Sequence, residues 1–278
     1  MKNNEETRDK ELHGIEGNKV LIPETVILDT TMNKYRVAVL IYLFCKTGID
    51  YQVSFSVGKI VDWLGKTSDR HIKKDYNNAA SGIKDCLEKF KKENYFSYYE
   101  ELKYANLVNG VFDKEKYSAT YNRIRFAKIY VDELQKILNY ENKDTKIDKT
   151  ILFLVFAFLR ARIPVKNNLA GAGERADAYD NHYKSIGNEI GLSERLVSKM
   201  VDVLVDLGLI YEMHRGLEVY YYDENGNTMK KFKEKTIIFC NTYKRIDKNG
   251  KTYLAAEGKD YYLKEANDKE NELNHKGM

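Results

Sequence analysis

Apolar residues keep helical spacing in some stretches of the chain and turn β-branched or aromatic in others, and these changes divide it into elements. Residues 1–19 are charged and dotted with glycine and read as an arm. Val20 to Leu28 is β-branched and apolar around Pro23, which predicts a short extended segment. From Asn33 the period becomes helical: Tyr35, Val39, Tyr42 and Leu43 share a face, and Gly48 supplies a stop. A second helix is predicted over Val57–Leu64, ended by Gly65. Ser68 then offers an N-cap to a long pattern whose stripe is Ile72, Tyr76, Ala80, Ile83, Leu87 and Phe90. After Asn94 tyrosine and β-branched residues take over, and Asn109-Gly110 predicts a hairpin turn. Tyr117–Phe126 continues as a strand, and Val131–Leu138 as a short helix. The polar stretch Glu141–Asp148 reads as a linker.

The second half repeats this order. An apolar helix is predicted over Ile151–Arg162, a loop over Pro164–Asn181, a helix over Tyr183–Ile190, and a turn at Gly191-Leu192-Ser193. A further helix ends at Gly208. Leu209–Met213 extends as a strand, and Leu217–Tyr222 with Lys235–Thr242 forms a hairpin about Asn225-Gly226. The halves align on Leu64-Gly65 with Ile190-Gly191, and on Ile83, Leu87 and Phe90 with Met200, Leu204 and Leu207. Each half is then three helices and a hairpin, which predicts an internal duplication. The expected fold is α+β, mainly helical, with an arm at 1–19, a first domain at 20–140, a linker at 141–148, a second domain at 149–256 and a tail at 257–278.

Composition narrows the function classes. A length of 278 residues suits two ordinary domains, and 43% hydrophobic with 32% charged residues is a globular composition. The three cysteines (Cys45, Cys86, Cys240) are scattered, so neither a disulfide framework nor a clustered metal site is expected. The polar N-terminus and the shortness of the apolar run Ile151–Leu159 predict a cytoplasmic protein without a membrane segment. The net charge of +4 decides nothing as a total. Resolved along the chain, Lys66–Lys92 holds eight basic residues against four acidic, and Asp223–Lys248 seven against four.

The densest local signal is Ser185–Ile210. Gly191 can take the left-handed conformation that ends one helix, Ser193 is a good N-cap for the next, and Glu194 suits its first turn. Leu196, Met200, Val203, Leu204 and Leu207 are expected to face the core. Arg195, Ser198, Lys199 and Asp202 are expected on the open side, polar and basic at the N-terminal end, as a helix entering the major groove requires. Arg195 suits guanine, Ser198 and Lys199 suit phosphate or base edges, and Ser193 is counted with them as a DNA-binding residue. Lys230, Lys231 and Lys233 are expected at the hairpin tip. In the first half Lys73, Lys74, Asn77, Asn78, Ser81 and Lys84 are expected on the exposed face, where asparagine can pair with adenine, although Asn77-Asn78 could instead interrupt the helix. Arg123 and Arg125 alternate on the following strand.

Other chemistries find less support. Gly171-Ala172-Gly173-Glu174-Arg175-Ala176 matches G-x-G-x-x-A but lies in a polar loop without the strand and helix of a dinucleotide site. No phosphate-binding loop of the Walker type occurs. The five histidines (His13, His71, His182, His214, His275) lack ligand spacing, and no nucleophile–base pair can be named. No catalytic residue, cofactor or metal is expected, and the chain is not read as an enzyme. The tyrosine clusters at Tyr95–Tyr104, Tyr220–Tyr222 and Tyr261-Tyr262 read as strand faces rather than stacking platforms for single strands.

Ser185–Ile210 resembles the helix-turn-helix of winged-helix DNA-binding domains. Two such units in tandem are similar in architecture to the replication initiators of plasmids and mobile elements. That resemblance implies a partner in double-stranded DNA carrying repeated origin sequences, a homodimer in some members, and contacts with replication proteins. A winged-helix transcriptional regulator, and a protein-interaction module of a replication or partition complex, are the alternatives.

Overall fold

The computed structural model describes residues 15–16, 19–48, 50–66, 73–103, 106–113, 125–141, 147–163, 178–222, 228–240, 244–248 and 251–255. Gly171–Ala176, Arg123, His71, Asn225-Gly226, most of the expected linker and the tail from residue 256 lie outside them. The chain divides into two compact units, residues 1–162 with 189–191, and residues 163–188 with 192–278.

In the first unit, β1 (Ile15–Glu16) and β2 (Lys19–Pro23) open the chain. Val20, Leu21 and Ile22 are all buried, so β2 is covered on both sides rather than amphipathic. Pro23 ends the strand and starts α1 (Glu24–Leu28), where its missing N–H costs nothing. In α2 (Arg36–Lys46) every residue from Arg36 to Phe44 is buried, which makes it the central helix. β3 (Gln52–Phe55) alternates, with Val53 and Phe55 inward. Ser56 then caps α3 (Val57–Trp63), its Oγ accepting from Lys59 N at 3.2 Å. α4 (Lys73–Lys92) follows, and then the hairpin of β4 (Phe96–Leu102) and β5 (Leu107–Phe112). The three strands form an antiparallel sheet in the order β3-β5-β4. β6 (Phe126–Tyr130) returns to β2 in the sheet β1-β2-β6, and leads into α5 (Val131–Asn139) and α6 (Lys149–Arg162).

α6 departs from expectation. It was expected to open the second domain, but it packs on β6, α1, α2 and α5 within the first unit. Its residues explain this: Thr150–Leu159 are buried all round, and a helix apolar on every side must be enclosed rather than laid on a surface. Trp63 stacks on Phe153 at 5.4 Å with an interplanar angle of 3°.

The Asn109-Gly110 turn is also corrected. Both residues lie inside β5, paired with Ser54 and Val53 of β3. Gly110 is there for space: a Cβ would stand 3.1 Å from the Phe96 ring. The reversal falls instead between Leu102 and Leu107, where Asn106 takes a φ of +48°.

The second unit contains β7 (Ala178–Asn181), α7 (Tyr183–Ile190) up to Asn188, α8 (Glu194–Asp206), β8 (Tyr211–Tyr222) and β9 (Thr228–Cys240). The antiparallel sheet order is β7-β9-β8. β7 falls at the end of the stretch expected to be loop. The hairpin is longer than expected, because Tyr211–Tyr222 is one strand of 12 residues and not two segments. β10 (Lys244–Lys248) and β11 (Lys251–Ala255) form a separate antiparallel pair. Each unit therefore contains strand, helix, helix and hairpin, and in each the second hairpin strand sits between the other two. This is an α+β architecture with small antiparallel sheets.

Candidate nucleic-acid interface

The two helix pairs are built by the same terminal chemistry. α3 ends at Gly65, φ +71°, with Lys66 N bonded to Val61 O at 3.1 Å and Gly65 N to Asp62 O at 2.8 Å. α7 ends at Gly191, φ +77°, with Leu192 N bonded to Gly187 O at 2.8 Å. Both are left-handed termini that satisfy carbonyls the helix leaves free. The longer helices stop alike. Asn94 (φ +59°) places Tyr95 N on Phe90 O at 2.9 Å, and Gly208 (φ +63°) places Leu209 N on Leu204 O at 2.9 Å. The apolar contact that accompanies this motif is the Phe90–Tyr95 ring pair at 5.3 Å in one unit; Leu204 and Leu209 are both buried in the other.

These stops correct the expected alignment by about one turn. Phe90 corresponds to Leu204 and not to Leu207, Leu87 to Val201, and Ile83 to Val197. The core face of α8 shifts accordingly. Val197, Met200, Val201, Val203 and Leu204 are buried, while Leu196 and Leu207 sit at its margin.

On α8, Ser193 is the N-cap, its Oγ accepting from Leu196 N at 3.4 Å. Arg195 is exposed and Lys199 half-buried, four residues along the same side. Ser198 is half-buried and committed: it shares a hydrogen bond with Tyr183, whose phenol donates to Glu212 Oε2 at 2.5 Å. Burial, then the hydrogen bond to Glu212, then the charges of Glu212 and Asp202 push the Tyr183 hydroxyl well above its ordinary value. The middle of this face is thus acidic, and its cationic part is the first turn and a half. The helical pattern alone did not reveal Tyr183 and Glu212, because one lies before the turn and the other on β8.

On α4, Lys74, Asn77, Asn78, Ser81 and Lys84 are all exposed, and the side chain of Lys73 lies outside the described residues. The helix runs unbroken through Asn77-Asn78 and Gly82, so those asparagines stand on a helical face. Gly82 is required by a neighbour, since a Cβ there would meet the Tyr35 ring at 2.6 Å. Asn33 Nδ2 donates to Gly82 O at 2.8 Å and anchors the same point.

A groove of about 620 Å³ runs between α4 and the β4–β5 hairpin, lined among others by Tyr76, Lys84, Glu88, Tyr99, Glu101 and Lys103. Burial and then the charges of Glu101 and Glu88 push the Tyr99 phenol up to about 12. Glu100 and Glu101 are exposed on β4, and neither β4 nor β5 carries a basic residue. Arg125 is exposed just before β6.

Lys230, Lys231 and Lys233 are not at the hairpin tip. They lie within β9, opposite Tyr221, Tyr220 and Glu218 of β8. Among the described residues no group of three or more His, Cys, Asp and Glu could hold a metal, and no helix is long and apolar enough to cross a membrane. No protein-family model matches the chain, and no curated protein matches it at a significant level.

Proposed function

We propose that both units are winged-helix modules and that the protein binds double-stranded DNA, as an origin-binding replication initiator of a plasmid or mobile element. The observation that carries this reading is the repeated connectivity. Strand, helix, left-handed turn, helix and hairpin occur twice with one sheet order, and each copy presents a helix with an exposed polar face. α8 offers Arg195 and Lys199 at its N-terminal end, where a helix entering the major groove meets base edges. α4 offers Lys74, Asn77, Asn78, Ser81 and Lys84 over a longer face. The lysines of β9 supply phosphate contacts. Two modules in one chain suit repeated half-sites, which favours an initiator over a regulator with a single module.

The acidic hairpin of the first unit favours a second use for that unit, as a protein contact within a replication or partition complex. Glu100 and Glu101 on β4 would repel a phosphate backbone.

Selection of bound sequences from random duplexes, followed by salt titration, tests the reading. One or two half-sites should be recovered. Arg195→Ala with Lys199→Ala should lose discrimination by about 1–3 kcal/mol per base contact. Neutralising Lys230, Lys231 and Lys233 should weaken binding to all sequences and lower the salt slope by roughly one for each phosphate no longer neutralised. Unchanged binding in both variants, or indifference to duplex DNA at low salt, defeats it.

A further inference from the structure

The segment Asp29–Tyr35, between α1 and α2, grips α4 at three successive turns, all within the first compact unit. The Asn33 amide makes two of the three holds. Its Nδ2 donates to Gly82 O at 2.8 Å, and its Oδ1 accepts from Cys86 Sγ at 3.0 Å. The same Oδ1 accepts from Tyr35 N at 3.0 Å, which fixes the amide on its own segment. The third hold is Lys89, whose Nζ meets Asp29 Oδ2 at 2.7 Å. Gly82, Cys86 and Lys89 fall at i, i+4 and i+7, on one side of the helix.

At Gly82 the helix also leans on a ring. A Cβ there would stand 2.6 Å from the Tyr35 ring and 3.3 Å from Asn33 Nδ2. Tyr35 is buried, and Lys34 and Lys66 lie over its ring at 5.5 and 5.8 Å. Both lysines are ion-paired with Asp148, at 2.6 and 3.8 Å, so the ring is a fixed stop. A mid-helix glycine weakens a helix taken by itself, and the close approach to this ring accounts for it here. Asn78 stands one turn before Gly82 and Ser81 beside it, both exposed. Rotation of α4 about its axis, or a slide along it, therefore displaces Asn78 and Ser81 directly. An asparagine that pairs with adenine through two hydrogen bonds tolerates little displacement.

We propose that Asn33 and Gly82 are positioning residues for the base-reading face of α4, setting its rotation and height without touching DNA. The proposal rests on the DNA reading above, and its test separates the two. In the full chain, Asn78→Ala and Arg195→Ala identify the base pairs that each helix reads. Asn33→Ala should then lower discrimination about tenfold at the pairs that depend on Asn78. Discrimination at the pairs that depend on Arg195, and the salt slope, should stay those of the wild type, because those contacts are untouched. Discrimination is a ratio of affinities, so a smaller folded fraction alone leaves it unchanged. Asn33→Asp keeps the acceptor contacts but sets a carboxylate oxygen against Gly82 O, and should behave like Asn33→Ala. Amides of Asn77–Lys84 should exchange faster in both variants. Gly82→Ala should lose discrimination at the same pairs; where that variant does not fold, the Asn33 variants carry the test. Equal losses at both sets of pairs, or a changed salt slope, would overturn the proposal. So would wild-type discrimination and exchange in both Asn33 variants, and that result would leave DNA binding standing. If Asn78→Ala leaves every base preference unchanged while exchange still rises in Asn33→Ala, the DNA role of α4 is overturned and the hold on the helix remains.

Discussion

α4 with its hairpin and α8 with its hairpin share connectivity, sheet order and both left-handed helix stops, yet they carry charge on different elements. In the first unit the exposed cations and amides are on the helix, which has 20 residues, and the hairpin strands have only acidic charge. In the second unit the helix has 13 residues and its face is mixed, while β9 alone carries four lysines. Between Gly191 and α8 lie only Leu192 and Ser193. A common frame thus fixes where helices stop, and leaves free which element meets a charged partner. In the DNA reading, α4 would discriminate through amide contacts, and β9 would supply affinity that ignores sequence.

The short turn gives the largest expected effect. Gly187 and Val61 occupy the same position, four residues before their left-handed glycines. Val61 carries a full side chain there; at Gly187 a Cβ would overlap Leu192 O and stand 3.3 Å from Leu192 C. Main chain cannot swing aside as a side chain can. Gly187→Ala should therefore cost about 3 kcal/mol, seen as a lowered thermal midpoint of the second unit by circular dichroism. An unchanged midpoint in Gly187→Ala would show that Leu192 can yield after all, and would remove the difference between the Gly187 and Val61 positions.

How much of this was legible in the sequence depends on whether the signal was local. Helix stops were: Gly65, Gly191 and Gly208 were each placed correctly, because a left-handed terminus is a property of one residue and its hydrogen bonds. The face Lys74–Lys84 could be read from its period. Three features could not. Asn109-Gly110 looks like a turn, but Gly110 serves the Phe96 ring, which comes from another strand. Ile151–Leu159 looks like the start of a domain, but its all-round apolarity reports enclosure and not by which unit. Ser198 looks free on its helix, but Tyr183, itself held by Glu212, reaches it from before the turn. In each case the deciding partner is distant along the chain.

The helix stops themselves offer a smaller test. Gly208 has open space around its Cβ position, so only backbone strain opposes a side chain there. Gly208→Ala should cost about 1 kcal/mol. Asn94 already occupies the left-handed region with a side chain suited to it, and Asn94→Gly should change stability by under about 0.5 kcal/mol. Urea unfolding of the two variants measures both. Equal costs would mean that the two stops are not equivalent.

pH separates the units more finely. In the first unit burial pushes Asp148 up, but the hydrogen bond from Lys34 at 2.6 Å and the charges of Lys66 and Lys34 outweigh it and hold the carboxyl below its ordinary value. Asp29 behaves alike: burial opposes, and the hydrogen bonds from Lys89 and Thr31 prevail. A carboxyl depressed in the folded state contributes stability above its unfolded value, near 3.8, and loses it as pH falls through the folded value. Glu133 works with the opposite sign, since burial against the pull of Arg160 raises it. The acid loss is therefore read as the difference between the wild type and Asp148→Asn, whose amide can still cap α6. In the second unit the raised Tyr183 phenol contributes stability below its unfolded value, near 10, and loses it as pH rises beyond. Trp63, the single tryptophan, reports the first unit alone. Its fluorescence should show a thermal midpoint falling by a few degrees below pH 4, less so in Asp148→Asn. The alkaline fall in the helical circular dichroism signal should flatten in Tyr183→Phe. If Tyr183→Phe leaves the alkaline limb unchanged, the phenol that ties Ser198 to Glu212 contributes nothing to the second unit's stability, and Ser198 is free for DNA after all.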